Sequence, residues 1–205
     1  GGQDVYSASK AASEIIIEAY KKSFFSDKDI RICSARAGNV IGGGDHCMDR
    51  LVPDAVKAFS KKNSLLVRAP KSLRPWQHVA DPLIGYLKLA QSMFENEKPL
   101  SPCYNFGPSS AAIVTVEDLI TRFAKLWPGG DWHVESKDDT MREAKMLTLN
   151  SRLAGKELGW KSSFSLEEAL QFTRDGYKVL EDGNKKLFLS HVQQVFQSSP
   201  LLEIL

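Results

Sequence analysis

The sequence predicts an α/β protein built on a parallel sheet, with a smaller α/β region towards its C-terminus. Three observations carry this. Residues 7–24 form an apolar-periodic run of helical length, residues 30–35 alternate as a strand does, and residues 49–61 return to helical period. A strand entered from one helix and left towards another is the αβ pattern of a parallel sheet. The 205 residues are 42% hydrophobic and 25% charged, a globular composition with enough chain to bury a core.

The same composition excludes several classes. A net charge of +2 leaves no basic stripe for nucleic acid and no tract drawn to a membrane surface. No apolar run approaches the ~18 residues a spanning helix needs. Cys33, Cys47 and Cys103 are odd in number and widely spaced, so no disulfide framework is expected and a reducing, cytoplasmic location is. Cys33 lies in an apolar run and is expected to be buried. His46, His78, His133 and His191 have no metal-ligand spacing. Asp45-His46-Cys47-Met48-Asp49 is the densest cluster of possible ligands, but it lacks the spacing of a helix or knuckle site, and no metal is assigned.

The elements follow in order. The first helix, 7–24, is apolar on more than one side, through Ala8, Ala11, Ala12, Ile15, Ile16, Ile17, Ala19 and Tyr20. A helix that covers a sheet needs one stripe, so the wider face predicts a second buried contact. A turn at 27–29 leads to the strand at 30–35, and a glycine-rich loop follows at 36–45. Helix 49–61 carries Pro53 in its first turn, and 65–67 is a short strand. Asp81 is expected to cap a helix that begins at Pro82 and runs to about residue 95. Residues 103–106 read as a strand closed by Gly107-Pro108. Thr115 caps helix 116–127, which Pro128-Gly129-Gly130 stops. A strand at 132–135, a short helix ending at Gly159 and a Ser165-capped helix complete the pattern. The tail keeps helical period to about residue 196. No repeats or low-complexity tracts occur.

The chemistry concentrates at the start, in Gly1-Gly2-Gln3-Asp4-Val5-Tyr6-Ser7-Ala8-Ser9-Lys10. Tyr6 and Lys10 are four apart and share one helical face. A free phenol titrates near ~10 and is a poor base at neutral pH, but an ammonium beside a phenol favours the phenolate. A base made this way takes a proton from a sugar hydroxyl while hydride leaves the same carbon. Two fixed letters alone also suit a surface helix, so the neighbouring residues decide.

Gly-Gly-x-Asp-x-Tyr-Ser-x-Ser-Lys-Ala before an apolar helix resembles the active-site segment of extended short-chain dehydrogenase/reductases. More narrowly, it resembles CDP-glucose 4,6-dehydratases. Arg36-Ala37-Gly38-Asn39-Val40-Ile41-Gly42-Gly43-Gly44-Asp45 and Arg74-Pro75-Trp76-Gln77-His78-Val79 point the same way and in the same order. The resemblance extends to about Tyr177.

It implies a partial Rossmann-like parallel sheet and NAD as cofactor. It implies catalytic and cofactor-binding roles for Tyr6 and Lys10, and places Ala37, Gly38, Asn39 and Val40 near the nicotinamide and the sugar. Asn39, Arg74, Arg142 and Glu143 would bind the nucleotide sugar, with the planar fork of Arg74 on its diphosphate. Trp76 reads mainly as packing. Arg142 stands where the family has the histidine of His-Glu-Ala. A homodimer through the helix at 7–24 and CDP-glucose or a related nucleotide sugar as substrate complete the expectation.

The domain reading is a sheet domain over 1–110 with substrate-binding segments near 38–79, a substrate-binding region over 111–185, and an unassigned tail over 186–205. No Gly-x-x-Gly-x-x-Gly or Gly-x-Gly-x-x-Gly run occurs in the sequence, nor does the family's Thr/Ser-Asp-Lys/Glu motif. The chain is therefore expected to be the C-terminal part of such an enzyme. Two alternatives stay open: a nucleotide-sugar 4-epimerase of the same superfamily, and a non-catalytic remnant that binds a nucleotide sugar or a partner chain.

Overall fold

In a computed structural model, residues 4–95, 100–134 and 146–197 are described. The chain alternates helix and strand: α1 Val5–Phe24, β1 Ser34–Ala37, β2 Asn39–Ile41, α2 Leu51–Ser60, β3 Leu65–Val67, β4 Leu73–His78 and α3 Ala80–Glu95. It continues through β5 Cys103–Phe106, β6 Ile113–Thr115, α4 Val116–Ala124, β7 Trp132–Val134, α5 Arg152–Leu158, α6 Leu166–Glu181 and α7 Lys185–Gln197. The parallel α/β class expected from the sequence is present. β1 pairs with β5, β2 with β4, and β3 with β7, all in parallel, while β6 adds to β4 antiparallel.

The strand read at 30–35 is displaced. The ladder begins only at Ser34, whose N–H donates to the Pro102 carbonyl at 2.9 Å, and it runs to Ala37 opposite Phe106. The alternation at 30–33 is real, but β5 offers no rung before Cys103, and pairing sets strand ends. Cys33 is half-buried rather than buried. Its thiol lies 3.3 Å from the Ser101 carbonyl, and partial burial pushes its pKa up.

Two hydrophobic clusters form among the described residues. Tyr104 and Phe106 of β5 meet Ile84 and Leu89 of α3 and Ala154, Leu158 and Trp160 around α5. The larger cluster joins Val52, Ala55 and Phe59 of α2 to Leu119, Ile120 and Phe123 of α4 and Leu166 and Leu170 of α6. Apolar positions three and four apart on each helix supply these faces. The helix ends follow local chemistry. Thr115 accepts from the Asp118 N–H, Ser165 and Glu168 form a capping box, and Gly159 takes φ +60° past α5.

Asp81 does not cap α3. That helix begins at Ala80, and Asp81 turns inward, 1% exposed, to accept from Ser162 Oγ and the Ser163 N–H at 2.8 Å each. Burial raises its pKa against those hydrogen bonds. The Trp160 indole donates to the Asp81 carbonyl at 3.0 Å. The residue thus clamps the 160–163 segment to the start of α3.

Candidate functional site

Tyr6 and Lys10 lie in the first two turns of α1. Asp4 starts the helix, accepting from the Ser7 N–H at 2.8 Å. Lys10 Nζ stands 5.5 Å from the centre of the Tyr6 ring, within cation–π range. Tyr6 is 71% exposed, so its hydroxyl is open to a ligand.

The position two turns beyond Tyr6 on the same face is Glu14. Its carboxylate accepts from Arg36 Nε at 2.8 Å and ties α1 to β1. Each partner shifts the other: the guanidinium lowers the Glu14 pKa, and the carboxylate raises that of Arg36. The sequence reading passed over this pair. The signal was the face itself, because positions 6, 10 and 14 are successive helical turns. The apolar breadth of α1 has no buried counterpart: none of its residues is buried, and Ile15, Ile16, Tyr20 and Phe24 are each more than half exposed.

Arg36 leads into the turn at 37–40. Ala37 ends β1 opposite Phe106, and Asn39 opens β2 opposite Trp76. Gly38 is therefore the hand-over between two sheets. A Cβ there would lie 2.7 Å from the Pro75 carbonyl oxygen and 3.0 Å from Pro75 Cγ, so only glycine fits. Gln77, 2% exposed, braces the junction by donating its Nε2 to the Phe106 carbonyl at 2.8 Å. Its Oε1 is buried without a hydrogen-bond partner. Asn39 is half-buried and Val40 exposed at the same turn. These placements put Ala37 and Gly38 at the carboxyl end of β1, the side on which open α/β sheets bind ligands, with Asn39 and Val40 following at once in β2.

Arg74 is half-buried on β4, and its Nη1 donates to the Leu73 carbonyl at 2.9 Å. Trp76, on the same face of β4, is buried in the larger core, as a packing residue should be. His78 follows, 5% exposed, with Nδ1 accepting from the Ala80 N–H at 3.3 Å and its ring edge-on to Phe164 and Phe172. Burial drives its pKa down to about 4, with a smaller push from His191. Arg142 and Glu143 lie outside the described residues.

The glycine run after β2 is seated on α6. The Tyr177 hydroxyl donates to the Asp45 carbonyl at 2.6 Å, and Asp45 in turn accepts from the Cys47 N–H at 2.9 Å. Burial and the Asp45 carboxylate push the Tyr177 pKa up to about 12. A cavity of about 410 Å³ opens behind this segment, lined by His46, Lys57, Lys61, Tyr177 and Glu181 among others. Among the described residues no three His, Cys, Asp or Glu side chains gather as a metal site.

Residues 2–107 match the model of the NAD dependent epimerase/dehydratase family. The chain belongs to that family. As a member it is 38% identical over 177 residues to the CDP-glucose 4,6-dehydratase of Salmonella typhimurium, covering 83% of this chain and 49% of that protein. Solved structures share the fold. The dTDP-glucose 4,6-dehydratase of Bacillus anthracis, in complex with NAD, superposes with a TM-score of 0.72 at 20% identity, over 91% of this chain and 56% of that one. The UDP-glucuronic acid 4-epimerase of Bacillus cereus, also with NAD, gives 0.71 at 18%, over 91% and 55%. The family member described here thus spans about half the length of these relatives.

Proposed function

We propose that this chain is part of a nucleotide-sugar 4,6-dehydratase, a lyase that converts CDP-glucose to CDP-4-keto-6-deoxyglucose with NAD as an internally recycled cofactor. The observation that carries this reading is the Tyr6–Lys10 face of α1, continued by Glu14 onto Arg36 at the strand that opens into residues 37–40. The 38% identity to a CDP-glucose 4,6-dehydratase favours dehydration over epimerisation.

The residues fit the nicotinamide end of NAD. A phenol and an ammonium one turn apart suit a sugar hydroxyl and a ribose, and the Gly38 turn leaves the backbone bare of side chain. Tyr6, Lys10 and the 37–40 turn would hold NAD, which would supply a reversible hydride store between C4 and C6 of the glucosyl unit, with no net oxidation. Tyr6 takes the proton of the 4-hydroxyl. Lys10 supplies positive charge beside the phenol and a donor to the cofactor ribose. Arg74 holds the diphosphate with its planar fork, and Asn39 contacts the sugar. The ketone at C4 acidifies C5, and water leaves across C5 and C6.

The open apolar face of α1 suits a second copy of the chain, giving a homodimer through Ile15, Ile16, Tyr20 and Phe24. No helix among the described residues is long and apolar enough to cross a membrane.

Calorimetric titration with NAD and, separately, with CDP tests the reading, followed by Tyr6→Phe in a turnover assay on CDP-glucose. Binding of both, with turnover reduced by at least about 100-fold in the variant, is expected. Binding of neither, or full turnover without the hydroxyl, would refute it.

A further inference from the structure

Helix α7 lies beyond the residues that carry the family likeness, and its sequence suggested no role. Its position does. The helix folds back on α6 through the turn at Gly183, which takes φ +64°, and its inner face brings His191 and Val195 towards the larger core. There it reaches the notch at Gly176 on α6, where the glycine segment that follows β2 is also seated.

Gly42 of that segment packs against Val79, and residues 43–45 are attached to α6. A Cβ on Gly43 would lie 2.5 Å from Gly176 Cα and 2.9 Å from the Tyr177 nitrogen, so the two backbones touch. A Cβ on Gly44 would lie 2.7 Å from Leu180 Cδ1, and the Asp45 carbonyl takes the Tyr177 hydroxyl. Gly176 lacks a side chain, which leaves a notch on α6. Where its Cβ would stand, Gly43 Cα is 2.8 Å away and His191 Nε2 is 3.2 Å away. Loop and imidazole therefore share one notch, Gly43 seated in it and the ring of α7 closing its side. Phe172 stands 6.1 Å from the His191 ring and 6.2 Å from the His78 ring, so the aromatic row continues to β4. His78 Nε2 would in turn be 3.9 Å from a Cβ on Gly42.

We propose that His191 is a positioning residue: its ring closes the Gly176 notch and holds residues 42–45 at the height the substrate and cofactor turn requires, making α7 part of the working site. The inference rests on the reading of residues 37–40 as the cofactor and sugar turn, which the glycine segment at 42–45 continues. Close-packed interiors transmit displacement because they lack voids to absorb it. Removing the ring opens the side of the Gly176 notch in which Gly43 sits, and the segment gains room to lift from α6.

Backbone 15N relaxation of the 205-residue chain tests this without any ligand. His191→Ala is expected to lower the amide order parameters of Gly43, Gly44 and Asp45 below about 0.6, while those of Leu119 and Ile120 of α4 stay at about 0.85. His191→Phe, which refills the notch, is expected to restore them. Unchanged order parameters at residues 43–45 in the alanine variant would overturn the proposal. So would an equal fall at Leu119 and Ile120, since the ring would then support the fold and not the loop, and so would failure of phenylalanine to restore order. Titration of wild type and His191→Ala with NAD separates the two readings. Weaker binding in the variant links the notch to the cofactor, whereas no binding by wild type defeats the cofactor reading and leaves the relaxation result to judge the notch.

Discussion

Lowering the pH is expected to destabilise this fold in good part through His78. Folding places its ring neutral in the core, accepting the Ala80 N–H on Nδ1 and packed 5.4 Å from Phe164. Its pKa falls from 6.5 to about 4. Protonation therefore favours the unfolded chain. The stabilising contribution is complete above about pH 6.5 and is lost as pH falls towards about 4. The whole shift is worth about 3 kcal/mol, of which about 2 kcal/mol is gone at about pH 5. For a domain of this size that is about 4–8 °C of melting temperature. Buried Asp81 acts with the opposite sign, because its raised pKa adds stability as pH falls. Comparison with His78→Phe removes that background. The variant keeps the aromatic contacts, and its loss of the Ala80 hydrogen bond is the same at every pH. Urea melts at about pH 7.5 and about pH 5 should show wild type losing about 2 kcal/mol more than the variant. Parallel losses in the two proteins would refute the argument that burial of this imidazole is the acid-sensitive element.

Further outcomes follow from the same geometry. Asp81→Ala strands Ser162 Oγ and the Ser163 N–H and should lower the urea-derived stability by about 2–3 kcal/mol, with Asp81→Asn less affected because an amide oxygen still accepts. Gly38→Ala drives a methyl against the Pro75 carbonyl and should cost about 1–3 kcal/mol in the same melts. Tyr6→Phe should leave stability within about 0.5 kcal/mol, since the ring is exposed, so any loss of turnover in that variant reports chemistry.

What the sequence made legible was local. Tyr6 and Lys10 meet on one face because helical spacing needs no tertiary information. The same holds for the caps at Thr115, Ser165 and Gly159. Readings that depended on partners fared less well. The strand at 30–35 moved to Ser34–Ala37 because β5 fixes where rungs exist. Asp81-Pro82 has the letters of a helix start, yet two serines some eighty positions away take the carboxylate. Arg36–Glu14 and the Gly43–Gly176 contact join segments whose proximity only the folded chain shows. Arg142 and Glu143 lie outside the described residues, so their expected contact with a nucleotide remains a proposal.

The two halves of the candidate site differ in how firmly they are held. Residues 37–40 sit where two sheets meet, between the Pro75 carbonyl and the Gln77 brace, on strands backed by both cores. The Tyr6–Lys10 helix has no buried residue, and among the described residues the ion pair that ties it to β1 has side chains 42% and 34% exposed. A pair so exposed contributes about 0–1 kcal/mol, too little to fix a 20-residue helix against a reacting hydroxyl. Proton transfer demands placement within hydrogen-bond reach, so the chemistry proposed here requires the apolar face of α1 to be covered. Ile15, Ile16, Tyr20 and Phe24 are the residues through which covering the helix also sets the base. In the proposed enzyme, assembly and catalysis would then share one element. A substitution such as Ile16→Asp, remote from the phenol, would act on turnover through the position of Tyr6 rather than through its chemistry.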